Sequence, residues 1–435
     1  MRVLQLLRRL VRAIFTLLAW IARIALLLFL LQYSAPPYGE LWTGVAAIVG
    51  SAQFDYVAWE VSAIAAKVDQ TLWGVHPFMS EAARSEMVRA YFVDLSRARA
   101  LDNEISRIYA EADDENAAAM QAAEQIAERD QLRADLASRQ TLVEAILEGQ
   151  VASVLIDQGF GTLGQLLPPI SMRFTQVPNL LIVSPRDAIR FEVSINVDPL
   201  PVDQAAALET RIDSERDVSS LIVPLGGIAL YPAMILETTS LSFAVETFAH
   251  EWLHHYLFAF PLGLDYDFSG EARIINETTA SLFGQAIAPL VLARYYPELA
   301  INAPDPRDGF TLALTRNIRS ERVYLRAPFD PGRALHTTRV RVDELLAEGR
   351  IEEAEAFMEE RRRLFVANGY PIRKLNQAYF AFYGGYQSDV QGAGGSDPIG
   401  PAVRALLEQN GSIQAWIVIM RTITTRDQLL AAANP

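Results

Sequence analysis

Residues 250–255 read His-Glu-Trp-Leu-His-His, so His250, Glu251 and His254 form an HExxH pattern. On a helix, positions i and i+4 share a face; both imidazoles can reach one ion while Glu251 points at the water that ion binds. The pattern therefore needs a helix. Leu241, Val245, Phe248, Trp252 and Tyr256 recur every three or four residues, Ser240 can cap the start, and neither Pro nor Gly intervenes before Pro261. The chain has no cysteine, which excludes disulfides, thiolate metal sites and a cysteine nucleophile, and leaves His and carboxylates as metal ligands. A catalytic zinc takes three protein ligands and keeps one position open for water. The bland alternative is a pair of histidines packed or exposed on an ordinary helix.

Beyond the breakers Pro261, Gly263 and Gly270, a second helical segment carries Asn276-Glu277-Thr278-Thr279-Ala280. HExxH followed by this segment resembles the gluzincin metallopeptidases, the thermolysin-like and related aminopeptidase families, over residues 220–293. The resemblance implies a Zn2+ ion held by His250, His254 and Glu277, with Glu251 as general base in hydrolysis of a peptide or protein substrate. Small residues Ala280, Ser281 and Gly284 would let the second helix approach the first. Two departures stand out. The spacing between the motifs is longer than in thermolysin-like members, and Ser281 stands where those enzymes carry an aspartate that supports a histidine.

Other residues compete for roles. Leu257 and Phe260 occupy the Gly and His positions of the metzincin pattern, which excludes that class. Glu271 beside Gly270 reads as a helix-start residue, and His255 points about 100° away from His254 around the helix. Gluzincins hold substrate along an edge strand; residues 221–231 are the expected strand, and Gly226 and Gly227 either allow close backbone approach or simply turn the chain. The tetrahedral oxyanion needs a donor from a downstream segment. Asn376, Tyr379 and Tyr383 share one helical face, His336 is the other option, and an aromatic stripe belonging to the core is the plain alternative. The Gly-x-Met-Glu-Asn exopeptidase signature is absent, which favours endopeptidase action.

The elements around this motif divide the chain. Residues 1–33 are an expected membrane anchor: 13–31 are apolar but for Thr16 and Arg23, and Arg2, Arg8, Arg9 and Arg12 before them favour a cytoplasmic N-terminus with the remainder extracytoplasmic. A central arginine costs roughly 2.5 to 3.5 kcal/mol on insertion scales. The rival is a cleaved signal peptide ending at Tyr33-Ser34-Ala35, which Pro36 and Pro37 disfavour. A further apolar run, 41–52, is too short to span and reads as an interfacial or packed helix.

Residues 34–165 read as a helical hairpin or coiled-coil-like stalk, rich in Ala, Glu, Arg and Leu, with Leu101, Ile105 and Ile108 at heptad spacing. A solvated spacer is the preferred reading and homo-oligomerisation or partner docking the alternative. Residues 166–300 form the expected metallopeptidase core, opening with a small sheet from runs at 171–177, 180–184, 190–197 and 220–231. Residues 301–435 read as a helical C-terminal subdomain. The expected class is α+β, predominantly helical.

Composition narrows the functions. The chain of 435 residues is 51% hydrophobic, enough for more than one structural unit, and its formal charge of −14, without a long basic run, excludes nucleic-acid binding. Two classes remain: a membrane-anchored zinc peptidase, and a membrane-tethered scaffold with a structural or degenerate metal site. An intact Glu251 favours the enzyme, because a structural site has no use for that carboxylate.

Overall fold

The computed structural model describes residues 2–30, 39–111, 115–300, 329–386 and 393–433, and divides into two compact units, Met1–Ile48 and Val49–Pro435. In the first, α1 (Arg2–Leu30) is one continuous helix. Its window Val11–Leu28 has a mean hydropathy of 2.0 and is entirely exposed, so it is long and apolar enough to cross a membrane. The Arg23 guanidinium lies 5.1 Å from the Trp20 ring centroid, which gives that lone charge an aromatic partner on its own helix. The short helix α2 (Leu41–Val49) buries Val45 and Ile48, as expected of a packed rather than a spanning segment.

The second unit is a predominantly helical α+β fold. It opens with α3 (Tyr56–Trp73), α4 (Glu81–Glu111), α5 (Glu115–Gln121) and α6 (Ala123–Leu155). Helices α4 and α6 form an antiparallel hairpin tied by Arg139–Asp94 at 2.6 Å and Arg97–Glu128 at 2.8 Å. This is where the expected stalk needs correction. Val88, Tyr91, Val143, Leu147 and Val151 share one core with Phe248 and Trp252, so the hairpin is a wall of the main body and not a solvated spacer. The physical reason is the nearly unbroken burial from Val143 to Leu155, a surface far too apolar to stand in water. No boundary falls near 165.

The strands follow: β1 (Gly161–Thr162), β2 (Gln165–Leu166), β3 (Met172–Thr175), β4 (Asn179–Pro185) and β5 (Val193–Val197). After helix α7 (Val202–Arg216) come β6 (Val218–Pro224), β7 (Gly227–Ile228) and β8 (Ala233–Leu236). Instead of one small sheet there are a β1–β2 hairpin and two three-stranded sheets, antiparallel β5-β4-β6 and mixed β3-β8-β7. The expected strand at 220–231 is split because Pro224 ends β6 and the following glycines turn the chain into β7, in the other sheet. In the mixed sheet β3 runs parallel to β8 and β7 antiparallel to it.

Its two edges differ in kind. The outer amides of β3 are capped by buried carboxylates of α6: Met172 N donates to Glu148 at 2.7 Å and Phe174 N to Glu144 at 2.8 Å, with Lys67 bridging both acids. β7 forms the other edge.

Helices α8 (Leu241–Leu257), α9 (Pro261–Leu264) and α10 (Gly270–Tyr295) complete the site-bearing part. The stretch after residue 328 is not one subdomain. Helices Pro331–Ala347, Ile351–Ala367 and Gln377–Tyr383 bury Leu335, Phe365 and Phe380 against Ile182 and Leu221 of the antiparallel sheet. Val403, Trp416 and Ile417, from the last helices, belong instead to the main core with α8 and α10.

Candidate metal centre

Helix α8 starts where Ser240 caps it, its hydroxyl accepting from Phe243 N at 3.3 Å. One face buries Val245, Phe248 and Trp252, each worth roughly 1.5 to 3 kcal/mol, and Trp252 Nε1 donates to Pro168 O at 2.9 Å. With that face locked, His250 and His254 turn towards α10. Helix α10 is capped by Ser269, accepting from Ala272 N at 3.2 Å. It packs so closely on α8 that a Cβ on Gly284 would stand 2.7 Å from the Glu246 carbonyl oxygen. That approach brings Glu277 opposite the two histidines.

The three side chains meet edge to edge. Nε2 of His250 and His254 are 3.1 Å apart, and Glu277 Oε2 lies 3.5 Å from the first and 3.6 Å from the second. A tetrahedral zinc with ligands at its usual bond lengths separates neighbouring donor atoms by about 3.3 Å, so this triangle fits such an ion. Glu277 Oε2 is buried and without a hydrogen-bond donor, the state expected of an oxygen meant for a cation. Burial would raise the Glu277 carboxyl, but the facing imidazoles of His254 and His250 hold it far below the usual carboxylate range. Burial would likewise lower His254, and the Glu277 charge instead raises it to about 9.

Supporting groups fix each ligand. The Asn276 side-chain amide donates to Leu262 O at 3.1 Å, which turns its Oδ1 to His254 Nδ1 at 2.9 Å. That bond places the proton on Nδ1 and leaves the Nε2 lone pair for a metal. The Tyr266 phenol donates to Glu277 Oε1, and Arg273 covers the Tyr266 ring at 5.0 Å. Ser281 supplies no acid; Glu246, one turn before His250 on α8, has a carboxyl that burial raises and the His250 charge partly lowers.

Glu251 is buried against β7. A Cβ on Gly227 would collide with its carboxylate and stand 2.9 Å from the Thr247 methyl, so glycine is required there for the strand to lie beside the acid. Burial raises the Glu251 carboxyl, and the charges of His250 and His254 only partly offset that rise.

The structure brings His250, His254, Glu277 and Glu251 together. Tyr379 and Tyr383 meet at a tilt with ring centroids 4.4 Å apart, and Tyr379 lies in the core against the antiparallel sheet with its hydroxyl buried and unbonded. Asn376 caps the Gln377–Tyr383 helix through Tyr379 N at 2.9 Å. His336 sits half-buried on the Pro331–Ala347 helix, and none of the site's hydrogen bonds or ring contacts involves it. His255 bonds Leu230 O at 2.7 Å, and Glu271 accepts from Arg426 N at 3.0 Å.

Two tyrosines escaped the sequence reading. Tyr266 lies in an aperiodic turn. Tyr386 follows Gly384-Gly385 just past a helix end; burial first, then the charges of Glu277 and Glu251, push its phenol well above its ordinary value. The Gly385 carbonyl is held near α10 by Thr278 Oγ1 at 3.4 Å. Compared with known proteins, the chain matches no protein family, no curated protein and no solved structure.

Proposed function

We propose that the protein is a membrane-anchored zinc metallopeptidase. The observation that carries this reading is the triangle of His250 Nε2, His254 Nε2 and Glu277 Oε2, with Glu251 on the same helix turned to the same side. In a chain without cysteine, two imidazoles and one carboxylate with a fourth position open are a catalytic rather than a structural zinc set. When bound, zinc would polarise a carbonyl and lower the pKa of water towards roughly 7.

The chain's own residues do the rest. The edge of β7, which pairs with no other strand among the described residues, takes an extended peptide backbone, and Gly227 lets that backbone pass the Glu251 carboxylate. Glu251 takes a proton from the attacking water and returns it to the leaving amine nitrogen as the C–N bond breaks. Tyr386 donates its phenolic hydrogen to the carbonyl oxygen as negative charge develops there. α1 spans the bilayer, and the four arginines at its start hold the N-terminus in the cytoplasm, with the second unit on the far side.

The test is cleavage profiling of a diverse peptide library by the full chain in detergent, with metal content measured on the same sample. Zinc near one per chain and cleavage abolished by chelation and restored by zinc support the reading. No cleavage by zinc-loaded protein rejects it in favour of a structural site.

A further inference from the structure

Helix α3 is inside out. The face packed on the protein carries polar groups: the Lys67 ammonium, its side chain only 13% exposed, binds Glu144 and Glu148 at 2.9 Å, Gln70 donates to Glu148 at 2.7 Å, and Trp59 Nε1 to Thr175 at 3.2 Å. The outward face is apolar. Val57, Val61, Ile64, Val68 and Leu72 are exposed, between 49% and 74%, and fall within about 80° of arc at the helical period. Two aromatic side chains are exposed at the C-terminal end of the helix, Trp73, its last residue, at 76% and Phe78 beyond it at 91%. Nothing among the described residues covers it, and contiguous apolar surface of this kind marks a contact site.

We propose that α3 is a membrane-surface helix whose outward stripe seats in the headgroup–acyl boundary of a lipid bilayer. Polar-in, apolar-out patterning is what a lipid-facing helix carries, and aromatic side chains at one end suit the interface. The same chain carries α1, long and apolar enough to cross a membrane, and residues 31–55 between the two helices span at most roughly 85 Å when fully extended. An inserted α1 thus keeps α3 at a high local concentration of lipid. A second copy of the chain is a poorer occupant: Ala58, Ala65 and Thr71 flank the stripe and the charges beyond them, Glu60 and Asp69, are both acidic, where a helix–helix seam carries pairs of opposite charge. The stripe bears no basic residue and the chain's formal charge is −14, so the contact is apolar and needs no anionic lipid.

The natural absence of cysteine makes the test clean. Val61→Cys, Val68→Cys and, as a control on another helix, Glu352→Cys are each labelled with a fluorophore in the full chain, reconstituted in phosphatidylcholine vesicles. All three positions are exposed, so the fold is retained. Labels at 61 and 68 should be quenched several-fold more by nitroxide-bearing lipid than by aqueous iodide, with the reverse at 352 and no change in high salt. Iodide access at 61 and 68 equal to that at 352 overturns the proposal. So does shielding from both quenchers with disulfide formation between copies of the Val68→Cys chain, which assigns the stripe to a dimer.

Discussion

The Tyr266 phenol donates to Oε1 of Glu277, so the other oxygen, Oε2, is the one left facing the Nε2 atoms of His250 and His254. A carboxylate pinned through one oxygen has one rotamer and one free lone-pair set to offer. Tyr266→Phe removes the pin while keeping the ring and its contact with Arg273. Loss of such a support typically costs 10- to 100-fold in metal affinity, and about that loss is expected here, measured by competition for zinc with a chromogenic chelator. Unchanged affinity would show that Glu277 is held by packing alone.

Tyr386 and Tyr379 separate a role in chemistry from a role in the core. Tyr386→Phe should lower kcat by roughly 10²- to 10³-fold with little change in KM, as for removal of one oxyanion donor. Tyr379→Phe deletes a buried hydroxyl that has no partner, so activity should persist and the melting temperature stay level or rise. Steady-state kinetics and thermal melts on both variants decide this; loss of activity in Tyr379→Phe with Tyr386→Phe unaffected would reverse the assignment.

Lys67 is the shared cation of two buried acids that cap β3. Burial raises the Glu148 carboxyl even with the ammonium beside it, which marks how much that carboxylate depends on Lys67. Lys67→Met fills similar space without the charge and should cost about 3 to 5 kcal/mol, read by urea unfolding in detergent. A loss below 1 kcal/mol, on the order of a surface ion pair, would mean that water reaches the acids.

The helices that bring His250, His254 and Glu277 together are legible because periodicity and caps are local signals. Val245, Phe248 and Trp252 announce α8, Ser240 marks its first residue, and Glu277 follows the next set of breakers. What was hidden depends on the tertiary fold. The stripe Tyr379, Tyr383, Tyr386 looks continuous at helical spacing, but the helix stops at Tyr383, and Tyr386 lies past the Gly384-Gly385 turn, where the charges of Glu277 and Glu251 act on it. Tyr266 has no periodic neighbours to flag it. The α4–α6 hairpin misled because its Ala, Glu and Arg content resembles a solvated spacer, while the ion pairs that use those charges are internal. Gly227 was noticed, but whether it served a turn or a close approach depended on where Glu251 would lie.

The claim at the centre is that Glu251 works on protons while the His250, His254 and Glu277 triangle holds zinc. Glu251→Gln keeps size and hydrogen bonding and removes the base. Zinc content and peptide cleavage measured together on this variant, beside His254→Ala, are the most direct test. The account predicts that Glu251→Gln retains its zinc and loses at least about 10²- to 10⁴-fold in kcat, whereas His254→Ala loses both metal and activity. Cleavage by Glu251→Gln at the parent rate, with zinc still bound, would contradict it.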